Sequence, residues 1–319
     1  MSSETGTGAE AAAADGSASS SLALESVRAI AKKDFQDSIR SWLFWGLSVF
    51  FFTLMAALAG FIAWAQPEEL TTLGFIGLIS QVCKLVIPLI ALVLGWKSIA
   101  GERETGSIKV LLSLPHSRKD VLVGKLLGRT AVLSLSLGIG FVIGMLAVAF
   151  AVTEFSFPAY VAFLAMTILY GLAYMSIAVS LSSVTRSTTM AGAAMFGVFV
   201  LFYIVWNSIQ SALRLLMRRG YIDGVSYMGT TFTGQQQELT RLPDWALFID
   251  MIDPGTAYQN TITLFSGLSG EDIGTTFNEA AFSNGLPFYL QDWFSLVILL
   301  FWIVVPIAVA LYLFDRGDI

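Results

Sequence analysis

Gly101–Lys125, GERETGSIKVLLSLPHSRKDVLVGK, is a charged connector set between two apolar stretches, 75–97 and 130–152, and the reading of the whole chain works outward from it. Within it Ile108, Leu111 and Leu112 recur at three- and four-residue steps, which places them on one face of a short helix over about two turns, 107–114. Pro115 stops that helix, because proline donates no backbone hydrogen bond. Gly106 is suited to close the helix before it as a left-handed C′ residue. Ser117 with Asp120 resembles a capping box, Asp standing where Glu or Gln is usual, and starts an extension of the next helix. Such a face suits the grip of a soluble partner; a solvated loop explains it equally, and Lys109, Arg118 and Lys119 also suit anionic lipid.

The flanks of the connector set the class. Hydrophobic residues make up 55% of the chain, charged residues 13%, and mean hydropathy is +0.73, against roughly one-quarter charged residues in soluble domains. Six segments, near 42–64, 75–97, 130–152, 158–181, 189–211 and 293–314, reach the length needed to cross a hydrocarbon core of about 30 Å. Lipid offers no partner for exposed backbone, so all six read as helices. The fold class is an all-α integral membrane protein. The first span follows more than forty mainly polar residues and is too long for a signal h-region, so it is expected to stay in the mature protein. With one cysteine, Cys83, and one histidine, His116, a disulfide framework is excluded and a Cys/His metal cluster is not expected.

Orientation follows from the short loops. Arg28, Lys32, Lys33 and Arg40 before span one, Lys97, Arg103, Lys109, Arg118, Lys119, Lys125 and Arg129 around the connector, Arg186 between spans four and five, and Arg316 after span six all fall on one side. The opposite short loops carry Glu68, Glu69 and Glu154 and no Lys or Arg. A multi-pass protein of the cell membrane with both termini cytoplasmic is expected.

Along the chain, 1–21 is an acidic, Ala/Ser/Gly-rich tail too poor in bulky apolar residues to order itself. Over 22–41, Leu24, Val27, Ala31, Phe35 and Ile39 trace an amphipathic helix expected at the cytoplasmic interface, with a plain extension of span one as the simpler reading. Spans one to five occupy 42–211 with the connector at 98–129. The 80 residues 212–291 form a large external segment, and 292–319 hold span six and the cytoplasmic C-terminus. Arg214–Arg219 reads as a continuation of helix five, and the apolar block from Trp245 to Ile252 as lying in the outer membrane interface or capping the bundle. Small pairs Ala56/Gly60, Gly140/Gly144 and Ala193/Gly197 read as helix packing inside the chain.

The chemistry-bearing motifs are few. No G-x-x-x-x-G-K-[ST] phosphate cradle occurs, so any ATPase belongs to another polypeptide. Asp and Glu are missing from the interiors of all six spans, which removes paired-carboxylate catalysis, and no nucleophile stands beside a base. The chain is expected not to be an enzyme. Lys84 is the ionisable group well inside a span, where a charge costs on the order of 3 kcal/mol. It either faces the bundle interior with Gln81, one turn earlier, as part of a translocation path, or snorkels to the outer headgroups. Pro88 in the same span is expected to kink it or free a carbonyl.

The stretch Ile87–Arg129 resembles the ABC-2 family of transporter permeases, mostly exporters, and the likeness extends over residues 22–319. That family's E-R-E-x-G-[ST] run, Leu-rich turn, proline, basic pair and G-K are matched by Glu102–Ser107, Leu111–Pro115, Arg118/Lys119 and Gly124/Lys125. Asp253–Tyr258 looks like its Pro-x-x-Ala-Tyr segment, and Phe314–Ile319 resembles its C-terminal end. The resemblance implies a coupling helix at Ile108–Leu114 between helices two and three, hinged at Glu102, Arg103 and Glu104, with Leu111, Leu112, Pro115 and Arg118 at the docking face. It implies two partners, a cytoplasmic ATPase subunit carrying ATP and Mg and a second permease subunit, identical or different. No cofactor is expected on this chain and no nucleic acid among its partners. A secondary transporter would show interior carboxylates and inverted repeats, and a scaffold would keep the connector without ATP-coupled movement.

Overall fold

A computed structural model describes residues 23–65, 71–107, 117–230, 236–266, 281–282 and 285–316. Among these, six helices are long and apolar enough to span a membrane. The chain is an all-α multi-pass membrane protein, with one two-stranded hairpin among the described residues. Helix α1 (Leu24–Ile39) precedes the first span α2 (Trp42–Ala65). The second, α3 (Thr72–Trp96), breaks at residues 97–99 and resumes as α4 (Ala100–Glu104). The third is α5 (Arg118–Ala151) and the fourth α6 (Phe157–Val184). The fifth is composite: α7 (Thr188–Val200), a π turn (Leu201–Val205) and α8 (Trp206–Arg218). Strands β1 (Val225–Thr230) and β2 (Gln236–Arg241) pair antiparallel. Short helix α9 (Asp244–Met251), helix α10 (Pro254–Ser266) and the last span α11 (Asp292–Arg316) complete the order.

Helix α6 is the hub, packing on α3, α5, α10 and α11. Its polar positions suit that place: Thr167 returns its hydroxyl to Phe163 O, and Ser176 donates to Ile303 O on α11 at 2.6 Å. Helix α5, at 34 residues, is about 51 Å long and outruns the hydrocarbon core. Its surplus length lies at the connector end, where it receives α1, while its deeper turns receive α2. Gly140 and Gly144 make the second contact possible, since a Cβ at either would lie 2.5 Å from Phe51 Cβ or 2.8 Å from Met55 Cβ. The other two small pairs do not pack inside the chain as expected: at Gly60 and Gly197 a Cβ would meet nothing within 4 Å. Spacing identifies small residues but not which face has a neighbour.

Two features of the segment between spans five and six were not legible as loops. Helix five continues to Arg218, as its sequence suggested, and Trp206 donates its indole N–H to Ile249 O at 3.1 Å, tying α8 to α9. Helix α10 is buried within the bundle against α6 and α11, with Thr256, Ala257, Tyr258, Asn260, Thr261 and Ile262 all shielded. A helix whose buried face carries threonines and amides shows no apolar stripe, so periodicity passes over it.

Candidate functional site: a braced connector and a buried lysine

The connector's two ends are braced from three sides. The helix break at residues 97–99 leaves backbone groups without helical partners, and the buried Ser182 of α6 serves three of them. Its Oγ accepts from Ile99 N at 3.1 Å and Ala100 N at 3.0 Å and donates to Trp96 O at 2.9 Å. A hydroxyl has one proton and two lone pairs, so Ser182 is fully used. One turn on, Arg103 Nη1 donates to Thr185 O at 2.8 Å and Glu104 Oε2 accepts from Thr188 N at 3.4 Å, so the α6–α7 turn is fastened to α4. Gly106 has φ +76°, the left-handed C′ conformation expected of it.

At the other end, Ser117 Oγ accepts from Asp120 N at 3.1 Å and Asp120 Oδ2 accepts from Ser117 N at 2.9 Å, a complete capping box. The second oxygen of Asp120 accepts from Ala23 N at 3.0 Å, so one carboxylate closes the starts of α5 and α1. Helix α1 then lies directly on α5. A Cβ at Gly124 would sit 2.8 Å from Ile30 Cβ, and one at Gly128 2.9 Å from Asp34 Cβ. The buried face of α1 is therefore Val27, Ile30 and Asp34, whereas Leu24 of the apolar stripe is exposed.

Between these braces sits a charge network. Lys125 Nζ contacts Asp34 Oδ1 of α1 at 3.2 Å and pairs closely with Glu102 of α4, while Arg129 Nε lies 3.0 Å from Asp34 Oδ2. Asp34 and Lys125 are almost fully buried. Of the residues expected at the docking site, Glu102, Arg103 and Glu104 thus reach three different neighbours, and Arg118 opens α5 half-buried. Ile108, Leu111, Leu112 and Pro115 lie outside the described residues. Sequence reading missed Asp34 and Ser182 and held Lys125 only as part of the G-K motif; an acid facing a lysine at a separation of 91 residues leaves no local signal.

The Lys84 side chain crosses to the segment between spans five and six. It turns to the first turn of α10, where Nζ lies 3.6 Å from Asp253 Oδ2, 3.4 Å from Thr256 Oγ1 and 3.2 Å from Gln259 Oε1. Asp253 is the carboxylate that the spans themselves lack, delivered into the bundle by the connecting segment, and it also caps α10 by accepting from Thr256 N at 2.8 Å. Nearby, burial pushes the Asp250 carboxyl up, against the opposing pull of the Lys84 ammonium. Gln81, one turn earlier on α3, is exposed. Pro88 supplies no N–H to the carbonyl of Lys84 four residues earlier, and Tyr170 Oη–H fills the vacancy at 2.9 Å. Tyr170 is stacked on Tyr258 of α10 with centroids 4.4 Å apart. Tyr170→Phe is expected to cost about 1–2 kcal/mol by orphaning that carbonyl. Thermal unfolding in a neutral detergent checks it, and an unchanged midpoint would mean the carbonyl has another donor.

Beside Lys84 and Asp253 a small pocket, about 20 Å³, is walled by Tyr174 of α6 and by Phe199, Phe202, Tyr203 and Asn207 of the fifth span. Phe199 also lines an open apolar groove of about 580 Å³ between α3 and α7, with Leu89, Val93, Trp96, Met195 and Phe196. Polar pocket and apolar groove therefore run on along the same two helices.

Comparison with known proteins places this architecture. The chain is 32% identical over 197 residues to the "Probable ABC transporter permease protein NosY" of Stutzerimonas stutzeri, covering 59% of this chain and 70% of that protein. It is 27% identical over 301 residues to the protein of the same name from Pseudomonas aeruginosa, covering 91% and 98%. The sequence profile of the ABC-2 family transporter proteins matches residues 28–319, and with that match spanning all six membrane helices, the chain belongs to the ABC-2 transporter family.

Proposed function

We propose that the chain is the membrane permease subunit of an ATP-driven exporter in the cell membrane, with both termini cytoplasmic. Its energy comes from a separate cytoplasmic ATPase, holding ATP and Mg, that docks on the coupling helix Ile108–Leu114. The permease names of the two relatives support the subunit assignment. The observation that carries the docking reading is the bracing of both ends of the connector. Glu102–Lys125–Asp34, Arg103–Thr185 and Glu104–Thr188 join the segments on either side of Ile108–Leu114 to α1, α5 and the α6–α7 turn. A push on a segment mounted this way reaches four helices instead of dissipating in a loop. Two such subunits pair, and the α3–α7 groove, with Lys84 at its far end and Gln81 one turn beyond, forms the path between them.

The test is co-purification of the full chain with the ATPase encoded beside it, then ATPase activity in lipid. Wild type is expected to retain the ATPase, and Leu111→Asp with Leu112→Asp to lose it while the permease still elutes as a folded species. Equal retention by the double variant would remove the coupling helix from the docking face.

A further inference from the structure

We propose that Lys84 is an anion-receiving residue of the path, which leaves Asp253 for the anionic group of an amphiphilic cargo and returns to it when the cargo has passed. The proposal rests on the permease reading and adds to it the chemical class of the cargo.

Three observations carry it. Asp253 is held in position without Lys84, because its Oδ2 accepts from Thr256 N at 2.8 Å and Thr256 Oγ1 at 3.1 Å, whereas the lysine stands 3.6 Å away. Lys84's hydrogen-bond partners there, Thr256 Oγ1 and Gln259 Oε1, are neutral, so its counter-charge comes from Asp253 and, without a direct contact, from Asp250. An ammonium at this depth needs a counter-charge at every stage of its cycle. Lastly, both members of the pair open onto the small pocket, walled by Tyr170 and Tyr174 of α6 and by Phe199, Phe202, Tyr203 and Asn207 of the fifth span.

The fifth-span wall is the sparsely packed side of the pocket. The fifth span touches α3 and α6 over few residues, and its helical pattern loosens into a π turn at Leu201–Val205, beside the pocket residues Phe202 and Tyr203. The pocket has room for about one water, so a headgroup enters only when this wall withdraws. The apolar body of the cargo then lies along Leu89, Val93 and Phe196 of the groove, continuous with the pocket through Phe199. Close seating of the lysine has its own provision: a Cβ on Gly255 would lie 2.5 Å from Lys84 Cε and 3.1 Å from its Cγ, so a side chain there would displace the lysine from this seat.

The experiment measures binding of dansyl-aminoundecanoate, a fluorescent amphiphilic carboxylate, and of its uncharged methyl ester to the full chain in phosphatidylcholine nanodiscs. Wild type is expected to prefer the carboxylate. Asp253→Asn frees Lys84 and is expected to tighten carboxylate binding about tenfold, and Lys84→Met to weaken it about tenfold, to the level of the ester. A structural ion pair predicts otherwise: both variants would bind no better than wild type, and that result overturns the proposal. Should Lys84→Met fail to fold, Asp253→Asn decides alone, because its expected effect is a gain. Inorganic phosphate as competitor separates the sources of the anion: displacement supports a free oxyanion as the group received, and lack of displacement supports an anion borne on an apolar body. Retention of the ATPase by wild type is scored separately, so loss of anion preference with the ATPase still bound overturns this inference and spares the permease reading.

Discussion

Lys125→Met is expected to lower the stability of the folded bundle by about 3 kcal/mol, the lower end of the cost of removing one partner from a buried ion pair. Methionine keeps the length and apolar stem of the lysine, so packing against α1 is largely retained and the loss is electrostatic. Asp34 keeps Arg129, whose Nε lies 3.0 Å from Oδ2, and the Glu102 side chain retains 28% exposure and some hydration. Those two reliefs place the cost at the lower end of the range. Adding Glu102→Gln should recover part of it, because the carboxylate left without a counter-charge is then removed. Chemical unfolding in neutral detergent, read as a double-mutant cycle, tests this; a single variant within 1 kcal/mol of wild type, on the scale of exposed pairs, would show that water already screens the network.

Gly140→Leu is expected to cost about 3 kcal/mol, the upper end for overpacking. The atoms a Cβ would meet include Ser48 O and Phe52 N, both at 3.0 Å, as well as Phe51 Cβ at 2.5 Å. Backbone cannot rotate away as a side-chain tip can, so α2 must separate from α5. Gly138→Leu provides the comparison, since nothing lies within 4 Å of a Cβ there. Thermal unfolding of the two variants side by side should show a loss confined to position 140. Equal losses would mean that helix propensity or lipid contact, and not helix approach, governs both.

Much of this architecture could be read from the chain. The six spans, the left-handed Gly106, the Ser117–Asp120 capping box and the carbonyl freed by Pro88 are local in origin, and periodicity, turn chemistry and proline geometry report on local matters. What escaped is non-local. On α1 the stripe Leu24, Val27, Ala31, Phe35 and Ile39 suggested one buried face, but Gly124 and Gly128 select another, Val27, Ile30 and Asp34, since only there can backbones come close. The acid of that face is tolerated because two cations from α5 meet it. Lys84 posed a question that its own span could not answer, because the answering carboxylate arrives on α10, a helix with no amphipathic signature. Of the candidate site, Glu102, Arg103 and Glu104 were legible as part of a motif, while the partners that brace them were not.

The pairing of α1 and α2 with α5 bears on biogenesis. Ala23 waits for Asp120 and Asp34 for Lys125, separations of 97 and 91 residues. A ribosome will have delivered the first two spans before either partner exists. Until α5 emerges, Asp34 has neither of its counter-ions and Phe51 and Met55 lack the glycine seats that receive them. The third span, not the first, is therefore the step at which α1 and α2 acquire their native contacts, and a chain stalled before residue 118 presents the membrane-insertion machinery with an unpartnered acidic helix.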